Sequence, residues 1–465
     1  MHLIRSAVAV PVCAWLVLCA PEVRAQEQQP VPGPRSEAPS TPTPSQAPAA
    51  QPSQEPLTLE RAVSLAAERN ESALSAGARA EAAEARVDKA RAFFLPKLTV
   101  SGSYIRRPEE STRQVGDQTV VLQRFNALSG NAVARITLFD ARGFPLYQAA
   151  KRDSEATALD AVEARRQVGF QAANAFLGAL GLQQVAGAAE RRLTYARQSL
   201  EEAQARAHAG LASTNDVTRA QLDVATAEAQ LADAVGQAEA GRLELGYLVV
   251  APVEGPLAAP ETLLGEASRP VDSFAGLADK ALERRPDILS AKLRVEQQRA
   301  LAREPLARLF PALSASAQGS VTNESGLTGR TFNGFLTVDL TWTLYDGGER
   351  YADRHERLAL TRALDLDASA KVRRVDVSVE RAHVSLRTAQ AALSQSQVAF
   401  DSARQNAEET SILYRQGLAS SLALSDAQVR QFEAEVALAR ARYALGSALL
   451  ELRAAVGLDP LGKEP

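Results

Sequence analysis

The chain has 465 residues and a net charge of −3, and aromatic residues make up only 5% of it although hydrophobic residues make up 46%. The lack of a basic excess argues against nucleic-acid binding, which usually depends on a positively charged surface. Both cysteines, Cys13 and Cys19, lie near the N-terminus, so the rest of the chain has no thiol for a disulfide or a metal site.

The first 56 residues are predicted to be a targeting segment followed by a linker. An apolar run from Ala7 to Ala20 leads to Val23-Arg24-Ala25, which resembles a cleavage site, so residues 1–25 are expected to be a signal peptide. Lipidation of Cys19 stays open, because the residues before it match a lipid-attachment motif poorly. Residues 26–56 are rich in Pro, Gln and Ser and are predicted to form a disordered linker.

The rest of the chain is predicted to be an internal duplication. Residues 66–76 (AAERNESALSA) match residues 281–291 (ALERRPDILSA), and ITLFD at 136–140 matches WTLYD at 342–346. The offset between matching residues is smaller at the second match, so the first half carries extra residues between the two, as expected for an exposed loop. The predicted parts are a first repeat at 57–270, a second repeat at 271–458 and a tail at 459–465.

The first half begins with a predicted helix and two predicted strands. The helix is expected from Leu57 to Phe93, with Thr58 as its N-cap, and Pro96 ends it. Apolar and polar side chains alternate over residues 97–105 and again over 131–139, which predicts two strands of period two. The polar residues between these strands are predicted to be a loop.

A long helical hairpin follows in each half. In the first half, one helix is predicted from about Leu146 to Ala207 and its partner from Ser213 to Leu248. In the second half, apolar residues between Val429 and Leu450 are spaced alternately by three and four, which indicates a heptad seam against a neighbouring helix. An ordinary soluble coiled coil fits this seam equally well.

The last predicted strand has the sharpest alternation in the chain. By pattern alone it is either a half-buried strand of a soluble sheet or part of a membrane barrel. The export signal, the strand length and a pair of aromatic residues at its end favour the barrel. Four strands per chain cannot close a channel alone, so a membrane barrel would need several subunits. The residues predicted to face lipid are Leu336, Val338, Leu340, Trp342 and Leu344.

Several segments, in duplicated order, carry a resemblance to a known family. They are LTLERAVSLAAERN from Leu57, RRPDILSAKLRVEQQRA from Arg284, FPALSASA from Phe310, LYDGG from Leu344, and GLAS at 210–213 and 417–420. Over residues 57–458 the chain resembles the TolC family of outer-membrane channels. The resemblance implies an internally duplicated α+β membrane protein. Its homotrimer would form a 12-stranded outer-membrane β-barrel, four strands per chain, continued by a long α-helical coiled-coil barrel.

The resemblance also implies a function. The chain would be the exit duct of a tripartite efflux pump, in the outer membrane and extending into the periplasm, working with a periplasmic adaptor and an inner-membrane transporter. An exit duct of a type I protein secretion system is the alternative within the same class. A periplasmic coiled-coil adaptor or scaffold is the alternative of a different class. The sequence has no P-loop, nucleophile elbow or HExxH motif, so no enzyme activity, cofactor or metal is expected.

The two GLAS turns are the predicted contact surface for the adaptor. Gly210 and Gly417 each follow a long predicted helix, where a left-handed C-cap glycine is expected, and the serines offer N-caps for the returning helices. In the family these turns are the periplasmic tips that meet the adaptor. The predicted docking residues are Gly210, Leu211, Ala212, Ser213, Gly417, Leu418, Ala419 and Ser420.

Three further residues near the turns are predicted to control the channel. By resemblance, Asp426 would form a ring of three carboxylates at the pore constriction, although an ordinary solvated Asp is the alternative. Asp216 would contact Tyr414 and hold the tip closed. Ala419 and Ala423 stand where relatives often carry charged residues, so the lock is expected to be weaker here.

Overall fold

The computed structural model describes residues 56–116, 118–270, 276–324 and 330–464. The predicted signal peptide lies outside the described residues, as does the predicted linker except for its last residue, Pro56.

The N-terminal helix is interrupted once. Helix α1 (Leu59–Arg69) begins at the predicted cap, where the Thr58 hydroxyl accepts a hydrogen bond from the Arg61 amide at 3.3 Å. The single helix expected as far as Phe93 is wrong, because Asn70 has extended backbone angles. Its side-chain oxygen accepts from the Ser72 amide at 3.0 Å and so starts helix α2 (Glu71–Arg91).

The described residues contain six strands. They are β1 (Lys97–Arg106), β2 (Ser111–Val115), β3 (Gln118–Gln123), β4 (Asn126–Phe139), β5 (Ala312–Thr322) and β6 (Phe332–Thr341). Four of them form one antiparallel sheet in the order β1-β4-β5-β6, and β2 pairs with β3 in a separate hairpin. The predicted loop between the first two strands of the sheet is therefore wrong, because it contains the hairpin of β2 and β3. Strand β4 begins five residues before the predicted start at Asn131.

The four-stranded sheet has two chemically different faces. One face is mostly apolar or glycine, in rows such as Leu98, Ala134, Ala317 and Leu336, and it ends in the polar pair Arg106 and Asn126. The other face carries rows such as Ser101, Asn131, Ser320 and Asn333. Hydroxyl groups on this polar face bond across strands, as between Ser316 and Thr337 at 2.7 Å.

The predicted lipid-facing residues fall partly inside the last strand. Leu336, Val338 and Leu340 share the apolar face of β6. The strand ends at Thr341. The prediction that Trp342 and Leu344 belong to it is therefore wrong. The indole N–H of Trp342 donates to the carbonyl of Leu309 at 3.0 Å, in the turn before β5.

A short 3-10 helix (Ala92–Phe94) follows α2, and the described residues contain eight further α-helices. They are α3 (Gly143–His208), α4 (Thr214–Val249), α5 (Glu261–Ala267), α6 (Leu277–Arg284), α7 (Pro286–Leu301), α8 (Glu304–Ala307), α9 (Glu349–Arg415) and α10 (Ser421–Val456). The order α2-β1-β4-α3-α4 recurs as α7-β5-β6-α9-α10, which is the predicted duplication. Helices α3 and α9 have 66 and 67 residues, so each is about 100 Å long.

The main core lies where the long helices of both halves meet. Phe176 and Leu177 of α3, Leu245 of α4, Leu386 of α9 and Leu450 of α10 are all fully buried in one cluster. Alanines surround them and let the helices approach closely. Toward the hairpin ends the core thins to small clusters made mostly of alanine. Of the helices in the described ranges, none combines the length and apolar character needed to cross a membrane.

Candidate functional site at the two hairpin tips

The first tip joins α3 to α4 through a glycine turn. Gly210 has a φ of +69°, a left-handed conformation that glycine adopts without strain. Its amide donates to the carbonyl of Ala207 at 3.0 Å, and the Leu211 amide donates to that of Arg206 at 2.9 Å. This pair of bonds is the Schellman motif, which satisfies the last carbonyls of the helix.

The second tip, between α9 and α10, repeats this backbone. Gly417 has a φ of +79°, and the amides of Gly417 and Leu418 bond to the carbonyls of Tyr414 and Leu413. The left-handed glycines are therefore confirmed at both turns. Leu211 and Leu418 project from the tips with exposed fractions of 80% and 74%.

The returning helices are capped differently. At the first tip, the Ser213 hydroxyl accepts from the Asn215 amide, and the Asp216 carboxylate accepts from the Ser213 amide, each at 3.1 Å. At the second tip, the Ser420 hydroxyl accepts from the Ala423 amide at 3.2 Å. Alanine has no carboxylate to return the bond, so only the first tip has a complete capping box.

Asp216 also links the first tip to the second. The hydroxyl of Ser421 donates to its other carboxylate oxygen at 2.5 Å. The bonds from the Ser421 hydroxyl and the Ser213 amide hold the pKa of Asp216 below its usual value of 3.8. Asp216 is therefore a charged acceptor shared by two helices.

The predicted hydrogen bond between Asp216 and Tyr414 is not formed within the described chain. Both side chains line one small cavity. The Asp216 carboxylate accepts hydrogen bonds from the Ser421 hydroxyl and the Ser213 amide instead. The Tyr414 ring is buried against the guanidinium of Arg206, which lies 4.3 Å from its centre, and burial raises the pKa of Tyr414.

Arg206 is a functional candidate that the sequence analysis missed. Its guanidinium donates to the carbonyls of Tyr414 at 2.7 Å and Arg415 at 2.9 Å, at the C-terminal end of α9. A cation is stabilising at that end of a helix. A basic residue in the last turn of α3 was visible in the sequence, but its use by a different helix was not.

Two further contacts continue from the tips along the hairpins. The Ser425 hydroxyl donates to the carboxylate of Asp223 at 2.7 Å, and the Gln428 amide donates to the hydroxyl of Ser199 at 3.2 Å. We refer to the contacts of Ser199, Arg206, Asp216 and Asp223 with the second hairpin as the inter-hairpin latch. All of them join first-half side chains to second-half groups.

Asp426 is placed apart from the latch. Its carboxylate is exposed and forms an ion pair with Arg430, one helical turn along α10, at 2.9 Å. The hydrogen bond from Asp426 raises the pKa of Arg430. Arg430 was also missed, although its spacing of four residues is the usual one for such a pair.

The Asp346-Gly347-Gly348 turn is used for helix capping. The carboxylate of Asp346 accepts from the amide of Gly348 at 3.1 Å and from the guanidinium of Arg350 at 2.7 Å. Across the ranges that the structure describes, no group of three or more His, Cys, Asp or Glu side chains is arranged to hold a metal ion.

The chain is similar to proteins of known families. The family model of the outer membrane efflux protein matches residues 62–248 and 277–458. The pyoverdine export outer membrane protein OpmQ of Pseudomonas aeruginosa is 26% identical over 293 residues, which cover 62% of this chain but only 59% of OpmQ. The cobalt-zinc-cadmium resistance protein CzcC of Cupriavidus metallidurans is 24% identical over 388 residues, which cover 82% of this chain and 85% of CzcC.

A solved structure shares the fold. The crystal structure of the outer membrane protein VceC from Vibrio cholerae superposes with a TM-score of 0.70 and 19% sequence identity. The superposition covers 86% of this chain and 96% of VceC. The order of helices and strands described above is therefore that of a known outer-membrane architecture.

Proposed function

The chain belongs to the outer membrane efflux protein family, and we propose that its two hairpin tips form the latched entrance of an exit duct. Members of the family are homotrimeric outer-membrane channels that work with a periplasmic adaptor and an inner-membrane transporter. The predicted fold class, efflux function, partners and location are confirmed by this membership. The alternative of a periplasmic coiled-coil adaptor or scaffold does not fit such a family.

The sheet supports placement of its apolar face in the outer membrane. Among the residues of these four strands, this face carries one charge, Arg106 at the last residue of β1, and its remaining apolar surface is suited to lipid. The opposite face, rich in serine, threonine and asparagine, is suited to a water-filled channel. We therefore assign Leu336, Val338 and Leu340 to the lipid side, and Trp342 and Leu344 to the rim below it.

The tips support an adaptor contact. Leu211 and Leu418 are large, apolar and mostly exposed. The conformation of each turn requires only its glycine, so it does not account for a leucine at these positions. In a trimer six such leucines would surround one opening, with Ala212, Ser213, Ala419 and Ser420 small enough for close helix packing. We assign the adaptor-docking role to these two GLAS turns.

The observation that carries the proposed gate is the carboxylate of Asp216, shared between the tips. While Ser421 and Ser213 both donate to it, the second hairpin is fixed to the first. Opening the entrance by moving one hairpin away from the other would break this bond and the bonds of Arg206. The duct itself is proposed to catalyse no reaction and to conduct cargo passively.

The relatives support a duct whose cargo is chosen elsewhere. OpmQ is named for pyoverdine export and CzcC for cobalt, zinc and cadmium resistance, two chemically unlike cargoes. We propose that the inner-membrane transporter selects the cargo of this chain as well.

A reversible cross-link tests the gate. Asp216→Cys combined with Ser421→Cys places two thiols where the carboxylate and hydroxyl now bond, and the native cysteines both precede the predicted cleavage site. Single-channel conductance in planar bilayers is expected to be low after oxidation and to rise when a reductant is added. Asp216→Cys alone should show no response to reductant. If reduction of the double variant leaves conductance unchanged, the latch is not the gate.

A further inference from the structure

A basic cavity of about 480 Å³ lies between the first turns of α3 and the last turns of α7. Its charged and polar lining residues are Gln148, Lys151, Arg152, Glu296, Arg299 and Arg303. Four of these side chains are cationic and one is acidic. The cavity therefore concentrates positive charge in a chain whose overall charge is slightly negative.

Only half of the cations in this cavity are neutralised. Arg152 and Arg299 form ion pairs at 3.0 Å with acids of α7 and α9. Lys151 and Arg303 are exposed, and within the part of the chain that the structure describes neither has an acidic partner. Cations that share a cavity repel each other, and an anion bound between them would remove that repulsion.

The cavity lies just below the sheet. Strand β4 ends at Phe139 and α3 begins at Gly143, so Lys151 lies about 12 Å along the helix from its start. Phe144, Gln148 and Lys151 follow spacings of four and three, which places them on one stripe of α3. This stripe passes from an aromatic ring to a cation within two helical turns.

Two exposed aromatic rings lie next to the paired strand ends of β4 and β5. Phe144 is 57% exposed at the start of α3, and Phe310 is 62% exposed two residues before β5 begins. Aromatic rings at the ends of lipid-facing strands form the girdle at the membrane surface. With the sheet's apolar face placed in the bilayer as proposed above, these rings would lie at the bilayer edge, and the cavity, one to two helical turns beyond them, would lie at the depth of the lipid headgroups.

We propose that this cavity binds the phosphate of a phospholipid headgroup in the periplasmic leaflet of the outer membrane. Arg303 offers a forked donor and Lys151 a point charge, the two kinds of side chain that bind phosphate oxygens. The headgroup would anchor the junction of barrel and helices at a fixed depth. The inference rests on the proposed placement of the sheet's apolar face in the bilayer.

Native mass spectrometry of the full-length protein in detergent, titrated with dioctanoyl phosphatidylglycerol, tests the site. Lys151→Gln combined with Arg303→Gln removes both unpaired cations and leaves the ion pairs of Arg152 and Arg299 in place. The affinity for the lipid is expected to fall by roughly thirtyfold, since each cation near an anionic headgroup contributes about fivefold. Lys280→Gln with Arg373→Gln, two exposed cations outside the cavity, should bind as the parent does.

Two further ligands identify what is recognised. Inorganic phosphate is expected to bind far more weakly than the lipid, because it lacks the acyl chains that reach the apolar face. Dioctanoylglycerol, which has no phosphate, is expected to bind weakly, and its affinity should be the same for the parent protein and the variant. Equal binding of inorganic phosphate and lipid would overturn the lipid assignment, and equal lipid binding by parent and Lys151/Arg303 variant would overturn the site.

The test is independent of the gate and of membrane insertion. The Lys151→Gln/Arg303→Gln variant should still form heat-modifiable trimers in the outer-membrane fraction with parental conductance. If it does so and retains full lipid affinity, only the headgroup site fails. If the parent protein forms no such trimers, the membrane placement fails first.

Discussion

The two hairpin tips have the same backbone but different side-chain chemistry. Both end a helix in a Schellman turn with glycine, and both begin the next helix with a serine cap. They differ at the third helical position, which is Asp216 in one copy and Ala423 in the other. The turn backbone, which is present in both halves, therefore positions the helices, whereas Asp216, which is present in one half, forms the contact between the hairpins.

This difference means that the two halves contribute different chemical groups to the latch. The acids and the arginine belong to the first half, and the hydroxyl and carbonyl groups that they bind belong to the second. An acid at position 423 would be expected to bond back to the Ser420 amide of its own tip, as Asp216 does to the Ser213 amide. The contact between the hairpins therefore comes from the acid of the first tip and the Ser421 hydroxyl of the second.

Removal of the unduplicated acid should have the largest effect. Asp216→Ala deletes the bond from Ser421, the contact of this carboxylate that joins the two hairpins, and a hydrogen bond to a charged group of this kind stabilises the closed tip by about 2 kcal/mol. The closed-to-open equilibrium of one protomer is then expected to shift by roughly thirtyfold. Single-channel conductance should rise, and equal conductance in parent and variant would contradict the latch.

Removal of the Arg206 contact should have a smaller effect. Arg206→Gln removes the donation to the carbonyls of Tyr414 and Arg415 and the stacking on the tyrosine ring. We expect the closed tip to lose about 1.4 kcal/mol of stability, which shifts the closed-to-open equilibrium about tenfold toward the open state.

Two matched variants separate charge from geometry at this site. Arg206→Lys keeps the positive charge but loses the forked donor, so it should recover only part of the conductance change. Arg415→Gln removes an exposed arginine at the same tip and should leave conductance unaltered. A change in Arg415→Gln as large as that in Arg206→Gln would indicate a general charge effect.

Adding the missing acid should make the tips more alike. Ala423→Asp would allow the carboxylate to accept from the Ser420 amide and complete a second capping box, worth about 0.5–1 kcal/mol. Hydrogen exchange of the amides over residues 420–424 should slow by roughly threefold. Ala423→Asn caps less well and serves as the control, and faster exchange in Ala423→Asp would mean that charge repulsion outweighs the cap.

Acid should open the latch only at low pH. The folded pKa of Asp216 is depressed below 3.8, so its contribution is fully present above that value and is lost as the pH falls through the depressed pKa. Conductance from pH 7 to pH 5 should therefore stay constant, and it should rise below about pH 4. Asp216→Ala should lack this rise, whereas a transition near pH 6 would assign the gate to another group.

The sequence was sufficient for features that depend on near neighbours. The left-handed glycines, the Thr58 cap and the shared face of Leu336, Val338 and Leu340 follow from local spacing, because caps and strand alternation are set within a few residues. The extended conformation of Asn70 was also local, but asparagine is tolerated inside helices and the break was missed.

Contacts between the halves could not be predicted in the same way. Asp216 and Ser421 are 205 positions apart, and their bond depends on how two hairpins dock side by side. The resemblance named Tyr414 as the partner, and the serine took that place because its hydroxyl reaches the carboxylate from the start of α10. The hairpin of β2 and β3 was missed for a related reason: its residues do not alternate between apolar and polar, and the hairpin is defined by the pairing of its two strands.

The smallest expected effect concerns the acid of the second half, Asp426. If it lines the pore constriction, its ion pair with Arg430 weakens its attraction for cations, since each carboxylate of the ring carries its own counter-charge. Arg430→Gln should then raise the cation-to-anion permeability ratio by roughly twofold, and Asp426→Asn should lower it by less. Reversal potentials in asymmetric KCl measure both. An unchanged ratio in both variants would make Asp426 an ordinary surface residue, and the functional acid of the tips would then be Asp216 alone.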